Sequence, residues 1–128
     1  MKFSHSFSVD AADIDELGHV NNVAYVRWVQ GIAVAHWRDA TSAEIQEQFF
    51  WVVVRHEIDY KKEALIGDAI VATTWVGEWT GETCERFTEI RRGNDLLVAG
   101  RTVWCMCSRE TSRPTRISKD LIKRFEQQ

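Results

Sequence analysis

The sequence predicts an α+β fold in which a single antiparallel sheet curls around one long helix. Three observations predict it. Residues 23–37, VAYVRWVQGIAVAHW, carry apolar side chains on nearly every side over a helical length, so this helix is expected to be buried all round. Segments of period two lie on both sides of it, one before and four after. Glycine-containing turns join the later strands, as in an antiparallel meander. A buried helix followed by such a meander packs most economically when the sheet wraps the helix.

The first strand is read from Phe3, His5, Phe7 and Val9, which alternate with Lys2, Ser4, Ser6 and Ser8. The tandem Asn21-Asn22 then supplies an N-cap for the long helix, with Asn22 expected to cap through its side chain. Arg27 and Gln30 mark its few exposed positions. Gly31 costs up to about 1 kcal/mol in a helix interior and suggests a close backbone approach. His36 near the far end is placed to favour the negative helix terminus. Thr41 with Glu44 resembles a capping box and predicts a short helix over about 42–48.

Phe50, Val52, Val54, His56, Ile58 and Tyr60 are expected to share one face of the second strand. Ile70, Ala72, Thr74 and Val76 begin the third after a turn at Gly67-Asp68. Gly81 and then Gly93-Asn94-Asp95 separate a fourth strand, 83–92, from a fifth, 96–108. Ser118 caps a short amphipathic helix ending near Phe125. With no linker, repeat or low-complexity tract, residues 1–128 are expected to form one domain. Such a sheet leaves edge strands open, so at least a homodimer is expected, with pairing of dimers into a homotetramer left open.

Composition narrows the function. Every apolar run is soon interrupted by charge, so no membrane insertion is expected, and the N-terminus MKFSHSFSVD lacks the zones of a signal peptide. A cytoplasmic protein is therefore expected. The net charge of −3 opposes the counterion release that drives general nucleic-acid binding, which argues against that partner. Three cysteines, Cys84, Cys105 and Cys107, fall in strand patterns with no CxxC pair or zinc-type histidine spacing, so they read as buried structural residues. His5 and His56 read as core histidines. There is no G-x-S-x-G elbow and no glycine-rich phosphate loop.

The chemistry concentrates in DAADIDELGHVNNVAYVRW, a loop that feeds the N-terminus of the long helix. The free N–H groups and positive end of such a terminus can hold the carbonyl oxygen of an ester or thioester. Asp15 is close enough in sequence to stand on the other side of that carbonyl, either to attack its carbon or to activate a water. Asp13 reads as an exposed turn residue.

The string from Asp15 through Gly18, His19, Asn21 and Asn22 to Tyr25 resembles the N-terminal motif of hotdog-fold thioesterases of the 4-hydroxybenzoyl-CoA thioesterase type. The resemblance implies that Asp15, three residues before Gly18, is the catalytic carboxylate, and that the backbone N–H of Asn22 polarises the thioester carbonyl. Some bacterial acyl-CoA thioesterases carry a His at the position of Asn22, so a His-assisted step from there is lost. HVNNVAY is also similar to the plant acyl-carrier-protein thioesterases, which implies a paired role for Asp15 and His19. Leu17 stands where those enzymes have an Asn. Tyr60-Lys61-Lys62-Glu63-Ala64 matches their Tyr, basic pair and Glu but has Ala64 for a Cys, which leaves Glu63 as a candidate to orient water. The two motifs cover residues 13–28 and 58–68.

The resemblance thus implies an acyl-CoA thioesterase, with Asp15, His19, Asn22 and Glu63 as catalytic candidates and no cofactor expected beyond the coenzyme A of the substrate. Tyr25, Lys61, Arg91 and Arg92 are the substrate-binding candidates. Lys62, Arg113 and Arg116 join the basic set that could grip the phosphates of coenzyme A, and Trp28, Trp51 and Trp75 either shape the acyl pocket or fill the core. An acyl-carrier-protein thioesterase and a hotdog protein that binds thioesters without cleaving them are the alternatives. A dehydratase is disfavoured, since the helix offers only His36 at its far end.

Overall fold

β1 (Phe3–Ser8) opens the chain, and a 3-10 turn at Ala11–Asp13 leads to α1 (Asn22–Ala40) and α2 (Ala43–Gln48). Four long strands follow: β2 (Phe49–Tyr60), β3 (Ala69–Thr80), β4 (Thr83–Arg92) and β5 (Asp95–Ser108), then α3 (Lys119–Glu126). The computed structural model describes residues 2–126. The strands form one antiparallel sheet in the order β1-β3-β4-β5-β2. β1 and β2 therefore lie at opposite edges, and α1, which connects them, crosses the concave face. This is the hotdog arrangement that the sequence predicts.

Several local expectations are corrected. The N-cap of α1 is Asn21, not Asn22: its backbone is extended and its Oδ1 accepts the Ala24 N–H at 3.0 Å, whereas Asn22 already has helical backbone. Likewise Ser42, not Thr41, caps α2, because its hydroxyl is the one that reaches the Ile45 N–H. α1 is not buried all round. Ala24, Tyr25, Trp28, Val29, Ile32, Ala33 and His36 face the sheet, while Val23, Arg27, Gln30, Gly31 and Val34 are exposed in the single chain. Gly31 makes no close approach within the chain, since an added Cβ would meet nothing within 4 Å.

In β2 the alternation changes phase. Val53 pairs with Trp104 and Arg55 with Val103, so Val54 is an extra residue in a bulge. Before it, Phe49 and Trp51 pack inward and Val52 and Val54 are exposed; after it, Ile58 faces the core. The expectation of one continuous face from Phe50 to Tyr60 fails at this bulge.

The interior divides into two apolar clusters. One gathers Val20, Tyr25, Trp28, Ile32, Ile70, Ile90 and Leu97 around the first half of α1. The other gathers Met106, Ile117, Leu121 and Phe125 with Trp37, Trp51, Trp79 and Trp104 around its end. Between them runs a buried polar belt of His36, Thr74, Arg86, Thr88 and Thr102. His36 belongs to this belt and not to the helix terminus: it is buried, stacked on Phe3, and its Nδ1 accepts from Arg86 Nη1 at 2.9 Å. His56 bonds Thr102 at 2.9 Å and is half-buried, whereas His5 is exposed, because in the single chain nothing covers that part of β1. All three cysteines are buried and free, and burial pushes the Cys84 thiol up to about 12.

Candidate active site

The loop before α1 is folded by Asp15 itself. Ile14 and Val20 form an isolated antiparallel bridge, and the Asp15 N–H donates to the His19 carbonyl at 2.8 Å. Oδ1 of Asp15 accepts the N–H groups of Leu17 at 2.9 Å and His19 at 3.1 Å, an Asx-type arrangement that a short acidic side chain favours. Gly18 turns the chain with φ +82°, a left-handed conformation that costs glycine little. Asp15 thereby spends one oxygen on its own loop, while Oδ2 accepts no hydrogen bond from the described residues.

The base of the loop is anchored by Asp13. The sequence reading as an exposed turn residue is overturned: Asp13 is only 5% exposed, and its Oδ1 accepts from Arg27 Nη2 on α1. Its carbonyl also accepts the Asn21 N–H at 3.0 Å. A buried carboxylate needs such a partner to offset its lost hydration. Because the Asn21 side chain is committed to Ala24, the N–H of Asn22 in the first helical turn is left outside the cap.

The second wall comes from the chain just after β2. Lys61 and Lys62 both donate their backbone N–H to the Leu97 carbonyl, at 2.8 and 3.2 Å. The Ala64 N–H donates to the buried Tyr25 hydroxyl at 2.9 Å, and burial pushes that phenol above its ordinary value. These bonds lay the segment over the start of α1. As a result His19 Nε2 stands 3.4 Å from Glu63 Oε2, both groups substantially exposed.

Asp15, His19, Asn22, Tyr25, Lys61 and Glu63 thus line one cleft of about 820 Å³, counted out to its mouth. Val20, Asn21, Tyr60 and Lys62 complete its lining. Tyr60, edge-on to Tyr25 at 5.5 Å, is not among the site residues expected from sequence, although it begins the Tyr-Lys-Lys-Glu motif; nor are Val20 and Asn21, which also line the cleft. Arg92 stands behind this wall, donating to the Glu63 carbonyl at 3.1 Å and to Asp68 and Asp95. Arg91, on the alternate face of β4, pairs with Glu89 at 3.0 Å and does not line the cleft. Arg113 and Arg116 follow β5, near the Phe49 end of β2, whereas the cleft adjoins its Tyr60 end. Of the tryptophans named from sequence, Trp28 packs in the cluster beside the cleft, Trp51 lies in the other cluster, and Trp75 stacks on Phe87. No helix is long and apolar enough to cross a membrane among the described residues.

The arrangement offers a free carboxylate oxygen, a helix N-terminus and a His–Glu pair around one opening. Comparison with solved structures gives the same fold. A probable thioesterase from Bartonella henselae is 22% identical with a TM-score of 0.80, over 91% of this chain and 98% of that one. A thioesterase from Thermus thermophilus, complexed with coenzyme A and Zn, is 21% identical with a TM-score of 0.85, over 97% and 91%. A 1,4-dihydroxy-2-naphthoyl-CoA thioesterase from Synechocystis is 15% identical with a TM-score of 0.83, over 98% and 96%. Two matches to uncharacterized proteins of Mycobacterium tuberculosis are 22% identical over 123 residues, 96% of this chain. The chain spans about half the length of these curated relatives, 48%. The thioesterase-like superfamily profile matches residues 9–125, which takes in the Asp15 loop, the cleft and every strand after β1, and the chain belongs to that superfamily.

Proposed function

We propose that the protein hydrolyses acyl-CoA thioesters in the cleft at the start of α1. The observation that carries this reading is the convergence of Asp15, His19, Asn22 and Glu63, from two distant segments, on one opening. The thioester carbonyl oxygen takes the Asn22 N–H and the positive end of α1 as its hydrogen-bond and electrostatic partners. Asp15 Oδ2 then attacks the carbonyl carbon, giving a mixed anhydride as the thiolate leaves, and a water cleaves that anhydride to the free acid and restores the carboxylate; or Asp15 removes a proton from a water that attacks the thioester instead. Glu63 and His19 orient that water. Tyr25 supports the wall beneath the acyl group, and Lys61, whose ammonium pairs with no carboxylate among the described residues, is the nearest candidate for a phosphate of coenzyme A, with Arg92 and Arg91 farther out. The coenzyme A complex of the Thermus neighbour and the CoA thioesterase activity named for the Synechocystis one support the carrier.

Two copies of the chain complete the unit in this reading. β2 is a free edge of 12 residues with Val52 and Val54 exposed, and an uncovered edge of that length invites pairing. Antiparallel pairing with a second copy sets the Phe49 end of one β2 beside the Tyr60 end of the other. Arg113 and Arg116 of one copy then approach the cleft of its neighbour. Light scattering on the eluting protein should give twice the chain mass or a multiple of it.

The direct test is release of free thiol from a panel of acyl-CoAs by the wild type and Asp15→Asn. Turnover should fall by at least about a hundredfold in the variant; retention of most activity would refute the assignment. The same acyl group on coenzyme A and on acyl carrier protein separates the two carriers.

A further inference from the structure

A second hollow lies far from the cleft, at the other end of α1. Trp37, Trp51, Trp79, Trp104, Phe125 and Arg86 wall about 390 Å³ counted out to its mouth. From Asn22 to Trp37 the helix rises about 22 Å at 1.5 Å per residue, and the buried polar belt stands between the two sites.

Its walls are apolar except for Arg86, which has no carboxylate partner among the described residues, and two indole N–H groups that lack acceptors. Arg86 is 6% exposed. Its Nη1 donates to two neutral groups, His36 Nδ1 at 2.9 Å and Thr74 Oγ1 at 3.2 Å, and its guanidinium lies 5.9 Å from the Phe125 ring centroid. Among the described residues no carboxylate pairs with it, although every other arginine in β4 and β5 has one. Desolvation lowers Arg86 to about 10, so it stays charged at neutral pH. A buried cation without a counter-charge is costly. Independently, the indole N–H groups of Trp51 and Trp104 are buried with no acceptor, two of only three such side-chain atoms among the described residues. Orphaned buried donors are rare, and two of them belong to walls of this one hollow.

We propose that the hollow is a second ligand site, distinct from the cleft, for a compact organic monocarboxylate whose carboxylate pairs with Arg86 and whose apolar or aryl body packs among Trp37, Trp79 and Phe125. A carboxylate supplies the missing negative charge and accepts from a guanidinium in a fork that a neutral amide cannot match. Apolar walls disfavour a fully hydrated inorganic anion. The site is independent of whether the cleft hydrolyses thioesters.

The six tryptophans make the site readable by nitrogen-15 NMR of the indole N–H signals of the whole chain, assigned with Trp51→Phe and Trp104→Phe. Phenylacetate and hexanoate should shift the Trp51 and Trp104 signals saturably and leave those of Trp28 and Trp75 in place. Phenylacetamide should bind at least about tenfold more weakly. Arg86→Met should abolish the shifts and Asp15→Asn should preserve them. The proposal is overturned if acid and amide bind alike, if inorganic phosphate produces the same shifts as the organic acids, if Asp15→Asn abolishes them, or if neither acid moves the two signals. It is also overturned if the shifts persist in a folded Arg86→Met variant. Should that variant not fold, Arg86→Lys replaces it: retained but weaker binding of acid over amide supports the site, and unchanged affinity overturns the role of the guanidinium fork.

Discussion

Arg27, one and a half turns into α1, donates to the buried carboxylate of Asp13 and so ties the Asp15 loop to the helix whose N-terminus it faces. Arg27 is itself largely exposed, so its removal would cost little in packing but would strand a buried carboxylate. Arg27→Met should therefore lower stability by about 2 kcal/mol, less than for a fully buried pair. Urea denaturation measures this. Asp13→Asn with Arg27→Met together should cost less than the sum of the two single changes, because the double variant leaves no unpaired charge.

Asp15 separates a structural from a chemical role through its two oxygens. Asp15→Ala removes the acceptor of the Leu17 and His19 N–H groups and should destabilise the fold by about 1 kcal/mol, as loss of a capping side chain does. Asp15→Asn keeps an acceptor oxygen and should be close to neutral. Under the proposed function both variants should lose thioester turnover to the same degree. Equal stabilities for the two would remove the loop-organising role, and high activity in either would remove the chemical one.

What the sequence could reveal follows how local each determinant is. The strands, turns and the Ser118-capped helix rest on short-range alternation and turn chemistry, and they lie where those signals place them. The bulge at Val54 does not, because it depends on how β2 registers against β5, some fifty residues on. Burial of Asp13 was hidden for the same reason: its partner lies 14 residues later, on a helix face whose orientation only packing decides. Asn21 and Asn22 are equally good caps by composition, and only the backbone geometry chooses between them. The two walls of the cleft were each visible as motifs, but their meeting depends on the Lys61, Lys62 and Ala64 backbone bonds. Arg86 shares its phase in β4 with Cys84, Thr88 and Ile90, so alternation places it inward, but that it meets no carboxylate there among the described residues depends on packing across α1 and β3.

Tyr25→Phe tests the bond that seats the second wall. The Ala64 N–H is buried and has the Tyr25 hydroxyl as its acceptor, so its loss leaves a desolvated donor unsatisfied, at about 1–3 kcal/mol. Hydrogen exchange at Ala64 should accelerate while protection in β4 is retained. Because Glu63 adjoins Ala64, KM for an acyl-CoA should rise more than kcat falls if Tyr25 only positions that wall.

Asp68 gives the pH dependence a sign. The Arg92 hydrogen bond, followed by the Leu65 N–H, holds its carboxyl below the ordinary value of 3.8. A carboxyl with a depressed native pKa binds fewer protons folded than unfolded between the two values, so its stabilisation is present above the unfolded pKa and is lost as pH falls through the folded one. Wild-type stability should therefore decline as pH drops below about 4. Asp68→Asn removes this titration, so the difference in stability between pH 6 and pH 3 should shrink by the Asp68 share, while stability at pH 6 falls because the Arg92 partner is gone. Denaturant unfolding at several pH values measures both effects. An unchanged acid slope in Asp68→Asn would show that the Arg92 contact does not favour the ionised carboxyl.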